Sequence, residues 1–183
     1  MSFIYYVGID PSLTATGLAI LDSDGKMSLR TIRTTPTSHG DKFHRVRHIA
    51  MTLRQAIADL DGKSVVCIEA PYIDLKNGKV TRAMIEMHTM VQHLLYWGGI
   101  HFREIPPAKL KQFVANHGAA KKELMLKKVF QLWKIDTDDN NQADAAGLAQ
   151  MSRAIHSVQS GGERSEWHAY QLEIVRKILD GEK

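Results

Sequence analysis

Hydrophobic and polar positions along the chain switch repeatedly between a period of two and a period near 3.6. Residues 3–10 (FIYYVGID) are rich in β-branched and aromatic side chains and read as a strand, with further strands at 16–22 (TGLAILD) and 26–33. The Asp-Ser-Asp-Gly turn at 22–25 joins the second to the third, so these three form an antiparallel meander. Residues 34–40 read as loop. From Asp41 the apolar residues Phe43, Val46, Ile49, Ala50, Leu53, Ile57 and Leu60 recur at helical spacing, and Asp61-Gly62 ends that helix. Residues 64–69 (SVVCIE) are almost continuously apolar, the pattern of a central strand covered on both faces.

Beyond a loop at 70–79, Val80, Met84, Met87, Val91, Leu94 and Leu95 mark a second helix that stops at Gly98-Gly99. A fifth strand follows at 100–105 and breaks at Pro106-Pro107. Helices are then expected over 108–115, about 121–133, 140–156 and 164–180, the last carrying Trp167, Tyr170, Ile174 and Ile178 on one face. Three strands, helix, strand, helix, strand, then helices is the order of an α/β domain with a mixed five-stranded sheet flanked by helices. A polar Ser160-Gly161-Gly162 linker divides a domain at 1–158 from an appended C-terminal helix at 159–183.

Composition narrows the class. At 183 residues, 44% hydrophobic and 24% charged, the chain is neither disordered nor fibrous. Its single cysteine, Cys67, excludes a disulfide framework and any multi-cysteine zinc site; it sits mid-strand as a small buried hydrophobe. No apolar run approaches the roughly 18–20 residues of a spanning helix, and no signal-peptide pattern opens the sequence. A soluble protein of a reducing cytoplasm, without a membrane partner, is expected.

Net charge is only +4, but its distribution is uneven. Residues 26–54 hold seven Lys/Arg against one acid, and residues 101–134 hold eight against two, so each carries +6 and the remainder −8. Two basic stretches on an acidic body suit a polyanionic partner.

The acids gain meaning from the sheet. Asp10 and Glu69 each end an apolar strand, and if those strands lie parallel and adjacent both carboxylates emerge at one edge. Asp144 lies on the apolar stripe of its helix with Leu148, Met151 and Ile155, where a lone carboxylate is unfavourable unless it faces other ligands. Asn141 lies one turn earlier on that stripe, and Asp139 is better explained as an N-cap, with Gln142 completing a capping box. Taken singly, strand-end acids are usually turn formers. Three converging carboxylates offer hard oxygen ligands that favour Mg2+ or Mn2+ over zinc, and two such ions can clamp a phosphodiester.

These residues carry a resemblance. GIDPSLTATGLAI at 8–20, VCIEAPY at 66–72, LKQFVANHGAAKKELM at 110–125 and NQADAAGLA at 141–149 are similar to the RuvC-type Holliday-junction resolvases, of the ribonuclease H-like superfamily. The resemblance implies that Asp10, Glu69 and Asp144 are catalytic metal ligands and that Tyr72 stacks on bases near the crossover. It implies too that Lys111 and Lys122 flank a turn contacting the scissile phosphate. Arg103, Lys109, Lys121, Lys127 and Lys128 become candidate backbone contacts. One departure stands out: where the family carries a fourth acid or a His, this chain has Asn141, which keeps a ligating oxygen but loses the charge. A second register would set Asp144 at the earlier of the two helical ligand positions and leave Gly147 at the last.

The implied activity is structure-selective endonuclease cleavage of four-way DNA junctions by a homodimer with two Mg2+ or Mn2+ ions per site, in a bacterial cell or phage-infected host. The helix at 80–97 then contributes to the dimer interface. Rivals on the same fold are other branched-DNA or RNA–DNA hybrid nucleases, and a catalytically weak junction-binding protein. An actin-like ATPase, whose first phosphate loop resembles residues 8–17, needs a second such domain for which the chain has no room. Gly62-Lys63-Ser64 imitates a phosphate loop but precedes a strand. His44 and His48 have ligand-like spacing, yet their flanking Arg45 and Arg47 point to a DNA-facing or solvated surface.

Overall fold

A computed structural model of the chain describes residues 4–60, 62–71, 78–162 and 165–181, so Asp61 and Tyr72 lie outside the described residues. Five strands form one sheet: β1 (Ile4–Asp10), β2 (Ala15–Leu21), β3 (Met27–Arg33), β4 (Lys63–Glu69) and β5 (Phe102–Ile105), in the spatial order β3-β2-β1-β4-β5. β1, β2 and β3 pair antiparallel, whereas β4 runs parallel to β1 and to β5. The meander and the central position of β4 follow the hydrophobic pattern.

Strand alternation sorts the side chains. Val7, Ile9, Leu18, Ile32, Val66 and Ile68 face one layer, covered by α2 (Lys42–Ala58) and α3 (Gly78–Trp97) through Ile49, Leu53, Met87, Val91 and Leu95. Each such fully covered aliphatic side chain contributes roughly 1.5–3 kcal/mol. Tyr6, Ala19, Leu21 and Cys67 face the other layer, where α6 (Asn140–Gln159) lies directly on the sheet. Around α6 pack α4 (Pro107–Ala115), α5 (Lys122–Trp133) and α7 (Ala169–Leu179).

The two layers are built differently. The sheet-facing side of α6 is nearly all alanine, and Gly8 and Gly17 meet its backbone. A Cβ on Gly8 would stand 1.9 Å from the Ala145 carbonyl oxygen, and one on Gly17 would stand 2.0 Å from that of Asn141. Ser152 completes the seam by donating its hydroxyl to the Val65 carbonyl at 2.6 Å.

Several boundaries differ from the sequence pattern. Residues Pro36–His39 form a short helix, α1, where loop is expected: Thr35 caps it, Pro36 is preset for the first turn, and Gly40 leaves it at a positive φ. α2 stops at Ala58 with Asp59 at its C-cap, before Asp61-Gly62. α6 runs on to Gln159. α7 begins at Ala169 rather than near 164, because Trp167 turns into the core beside Phe113, at 5.9 Å between ring centroids, and His168 with Gln171 forms a capping box. Gln171 Nε2 also donates to the Phe113 carbonyl, joining α7 to α4.

Candidate active site at the carboxyl ends of β1 and β4

Ile9 pairs with Ile68, so the next residue on each strand, Asp10 and Glu69, ends level with the other. Both belong to the alternation set of Gly8 and Cys67, which faces α6. Asp144 projects from the first turns of α6 toward the same edge, and its charge acts on both strand carboxyls.

Burial dominates the electrostatics. It raises Asp10 well above the ordinary carboxylate range, helped by the charges of Glu69 and Asp144 and a hydrogen bond with Glu69, while Lys122 opposes it. Glu69 is pushed up to about 7 by burial and Asp144, against the Asp10 hydrogen bond and Lys111. Asp144 rises to about 6 through burial, opposed by Lys111 and Lys122. Burial and mutual repulsion thus push Asp10 and Glu69 toward the protonated form, as expected of adjacent buried carboxyls with too little positive charge near.

This surplus of negative potential in a set of hard oxygen donors fits a divalent cation. Among the described residues no three His, Cys, Asp or Glu side chains are already closed around a single ion position; the acids form a hydrogen-bonded pair with a third within electrostatic reach. Lys111 reaches the site from α4 and Lys122 from the first residue of α5, so two cations border three acids.

Other candidates are placed elsewhere. Asn141 turns back on its own helix cap: its Nδ2 donates to Asp139 Oδ1 at 3.0 Å, leaving Oδ1 as the atom it can offer a cation. Asp139 is the N-cap, accepting from the Asn141 backbone N–H, but Gln142 does not complete a capping box. Gln142 instead accepts from Thr137 and donates to Thr31 on β3, while Asp139 accepts from Thr31 and Arg33. Burial alone would raise Asp139; these partners outweigh it and hold the carboxyl below its ordinary range. A Cβ on Gly147 would crowd Val114 and Leu110 at 2.7 and 3.0 Å, so that position faces α4 rather than the acids.

Lys121 is exposed at the start of α5, and Lys109 is half-buried in the first turn of α4. Arg103 is not at the acid edge. It pairs across from Cys67 in mid-sheet and lines a cleft of about 680 Å³ with Ile155 and Gln159. His44 is bonded to Asp41, and the His48 ring packs at a tilt against His39, so the two do not act as a ligand pair. Arg45 is 8% exposed, not a surface cation, and donates to Leu13 and Thr34 beneath the β1–β2 turn. The signal for it was its place in the stripe Arg45, Ile49, Leu53, Ile57, a cation at core spacing.

Comparison with known proteins agrees with this geometry. A model of the family described as crossover junction endodeoxyribonuclease RuvC matches residues 6–152. Curated proteins of that name include one from Delftia acidovorans, 26% identical over 180 residues, covering 85% of this chain and 97% of the relative. Another, from Chlorobium phaeovibrioides, is 27% identical over 176 residues, with coverage of 88% and 92%. Among solved structures, T. thermophilus RuvC in complex with Holliday junction substrate matches with a TM-score of 0.68 and 21% identity, over 87% of this chain and 97% of that one. At that identity the likeness speaks for the ribonuclease H-like fold.

Proposed function

The chain belongs to the RuvC family of crossover junction endodeoxyribonucleases, and on that premise we propose that it resolves four-way DNA junctions by metal-dependent hydrolysis of symmetric phosphodiesters. The observation that carries this reading is the meeting of Asp10, Glu69 and Asp144 at one sheet edge beside Lys111 and Lys122.

Asp10, Glu69 and Asp144 would hold two Mg2+ or Mn2+ ions, with Asn141 contributing through its carbonyl oxygen alone. When bound, such ions supply Lewis acidity and an activated water for in-line attack at phosphorus. The chain's own residues do the rest. Asp10, buried and flanked by two strands, sets where the reacting phosphate sits. Lys122 and Lys111 offset the charge that grows on the phosphate in the transition state. Lys121 and Lys109 extend the cationic rim along the backbone, and Arg103 would serve an arm farther from the cut. Tyr72, which directly follows the described segment ending at Pro71, is assigned to base stacking at the crossover.

A junction presents two equivalent scissile strands, so a two-fold homodimer with one site per subunit fits the substrate. Ile85, Tyr96 and Trp97, 39%, 68% and 71% exposed, are large side chains on the outer surface of α3 that a partner subunit could cover. DNA junctions place the protein in a bacterial cytoplasm; among the described residues no helix is long and apolar enough to cross a membrane.

An end-labelled synthetic junction tests the reading. Paired symmetric nicks that require Mg2+ and yield ligatable duplexes are expected, with flaps, RNA–DNA hybrids and plain duplexes cut far less. Asp10→Asn and Glu69→Gln should bind the junction and fail to nick it. Junction binding without nicking by the wild type would instead favour a binding protein, the outcome that the neutral Asn141 makes concrete.

A further inference from the structure

We propose that Arg45 is a positioning residue for Asp10: its buried guanidinium, on the sheet face opposite α6, fixes the turn that leaves β1. The inference rests on the catalytic reading of Asp10. Arg45 has no carboxylate partner among the described residues, an unfavourable state for a cation at 8% exposure unless its donors are fully used. Nε and Nη2 are used on two segments that meet here, Leu13 in the β1–β2 turn and Thr34 just after β3. Nε donates to Thr34 Oγ1 at 3.0 Å, and Nη2 donates to the Leu13 carbonyl at 3.0 Å and to that of Thr34 at 3.3 Å.

Thr34 is itself part of the clamp. Its hydroxyl donates to the same Leu13 carbonyl at 2.5 Å, and its N–H donates to the Thr14 carbonyl at 3.1 Å. From inside the turn, the fully buried Thr16 accepts from the Ser12 N–H at 3.0 Å and donates to the Ser12 carbonyl at 2.7 Å. Residues 12, 13 and 14 are thus each tied through the backbone, and Pro11, with its ring-fixed φ, is the single residue between them and Asp10.

Asp10 needs such a hold. Its carboxyl is buried, hydrogen-bonded to Glu69 and close to Asp144, so its placement depends on the backbone that carries it. The contacts of Arg45 are to Leu13 and Thr34, so it acts by holding the backbone. The consequence separates it from an electrostatic residue. Lysine keeps the charge but cannot serve diverging acceptors with a planar fork, so Arg45→Lys should behave like Arg45→Gln.

Two measurements on the full-length protein test this. In single-turnover cleavage of a four-way junction at limiting Mg2+, both Arg45 variants should lose about 10- to 100-fold in rate, the range seen when support around metal sites is removed. Junction affinity should stay within about twofold, since the clamp faces away from the DNA-binding lysines. Calorimetric Mn2+ binding to the free protein should weaken by about tenfold. Thr34→Val should repeat both losses and Thr34→Ser, which keeps the hydroxyl, should restore them. The Thr34 pair decides the matter if the Arg45 variants do not fold. Wild-type rates and Mn2+ affinity in Arg45→Lys or Thr34→Val, with only a lowered Tm, would overturn the proposal. Failure of the wild type to cut would overturn the functional reading instead, and the Mn2+ isotherms would still judge Arg45.

Discussion

The two faces of the sheet solve the same packing problem in opposite ways. Beneath α2 and α3, large aliphatic side chains such as Ile49, Leu53, Val91 and Leu95 fill the space between layers. Beneath α6, alanines and two glycines remove that space, and helix backbone touches strand backbone. A layer filled by side chains can relax when one is trimmed, because neighbours shift into the gap. A layer in backbone contact has nothing to yield. The acids lie on the rigid face, where α6 sets Asp144 against Asp10 and Glu69.

The sharpest way to break this contrast is to add a methyl group on one face and trim a side chain on the other. Gly8→Ala would force a Cβ into the Ala145 carbonyl, and the expected loss is about 4 kcal/mol or more, in the range where folding itself fails. Denaturant unfolding that shows Gly8→Ala costing less than Leu53→Ala, itself expected at about 2–5 kcal/mol, would erase the distinction between the faces.

Acidity offers a second, smaller test, because each face buries a titratable group and the two pull stability in opposite directions. Glu69 and Asp144 have folded-state values near 7 and 6, above their ordinary ones, so the metal-free fold prefers them protonated. Their burden is absent below about pH 4, grows as pH rises through those values, and is complete above pH 7. At pH 8 without divalent ions, Asp10→Asn should raise Tm, on the order of 5 °C, and should remove most of the further rise that Mg2+ gives the wild type. At pH 5 both differences should shrink. A larger Mg2+ effect at pH 5 than at pH 8 would contradict the charge picture.

His88 supplies the opposite sign under α3. It is 2% exposed, its Nδ1 finds no partner among the described residues, and burial lowers it to about 4. The fold holds it neutral, so no penalty exists above pH 6.5, and one develops as pH falls from there toward 4. His88→Leu should stabilise by about 1 kcal/mol at pH 7 and by more at pH 5. Equal melting of variant and wild type at pH 5 would show that His88 is solvated or partnered in solution.

Much of this arrangement could be read in the residue order. Strand alternation and the apolar stripe on α6 put Asp10 and Glu69 at strand ends and Asp144 on a core-facing stripe. That they share one edge depends on β1 and β4 being parallel neighbours, which period does not fix. Lys111 and Lys122 came from resemblance, since an isolated lysine carries no periodic signal. What stayed hidden was side-chain choice among local partners. Gln142 sits where a capping box predicts a reach back to the cap, yet Thr31 and Thr137 outbid the backbone. Asn141 could face the acids or its own cap, and only the fold shows it bonded to Asp139. Arg45 carried a legible oddity, a charge at core spacing, but its acceptors lie 11 and 32 residues back in the chain and no pattern links them. Trp167 and Tyr170 satisfy helical spacing, yet α7 starts only at Ala169 because Trp167 packs beside Phe113.

The buried position of Cys67 also makes the protein convenient to tag. Its thiol is pushed up to about 12 by burial, and the thiolate is the form that reacts with maleimides and iodoacetamides. At pH 7–8 the native chain is therefore effectively silent to such reagents, although it contains a cysteine. A single cysteine introduced at an exposed site such as Gln131 would be the one that takes the dye. Fluorophores or spin labels could then follow the arms of a bound junction without first replacing a residue in the sheet.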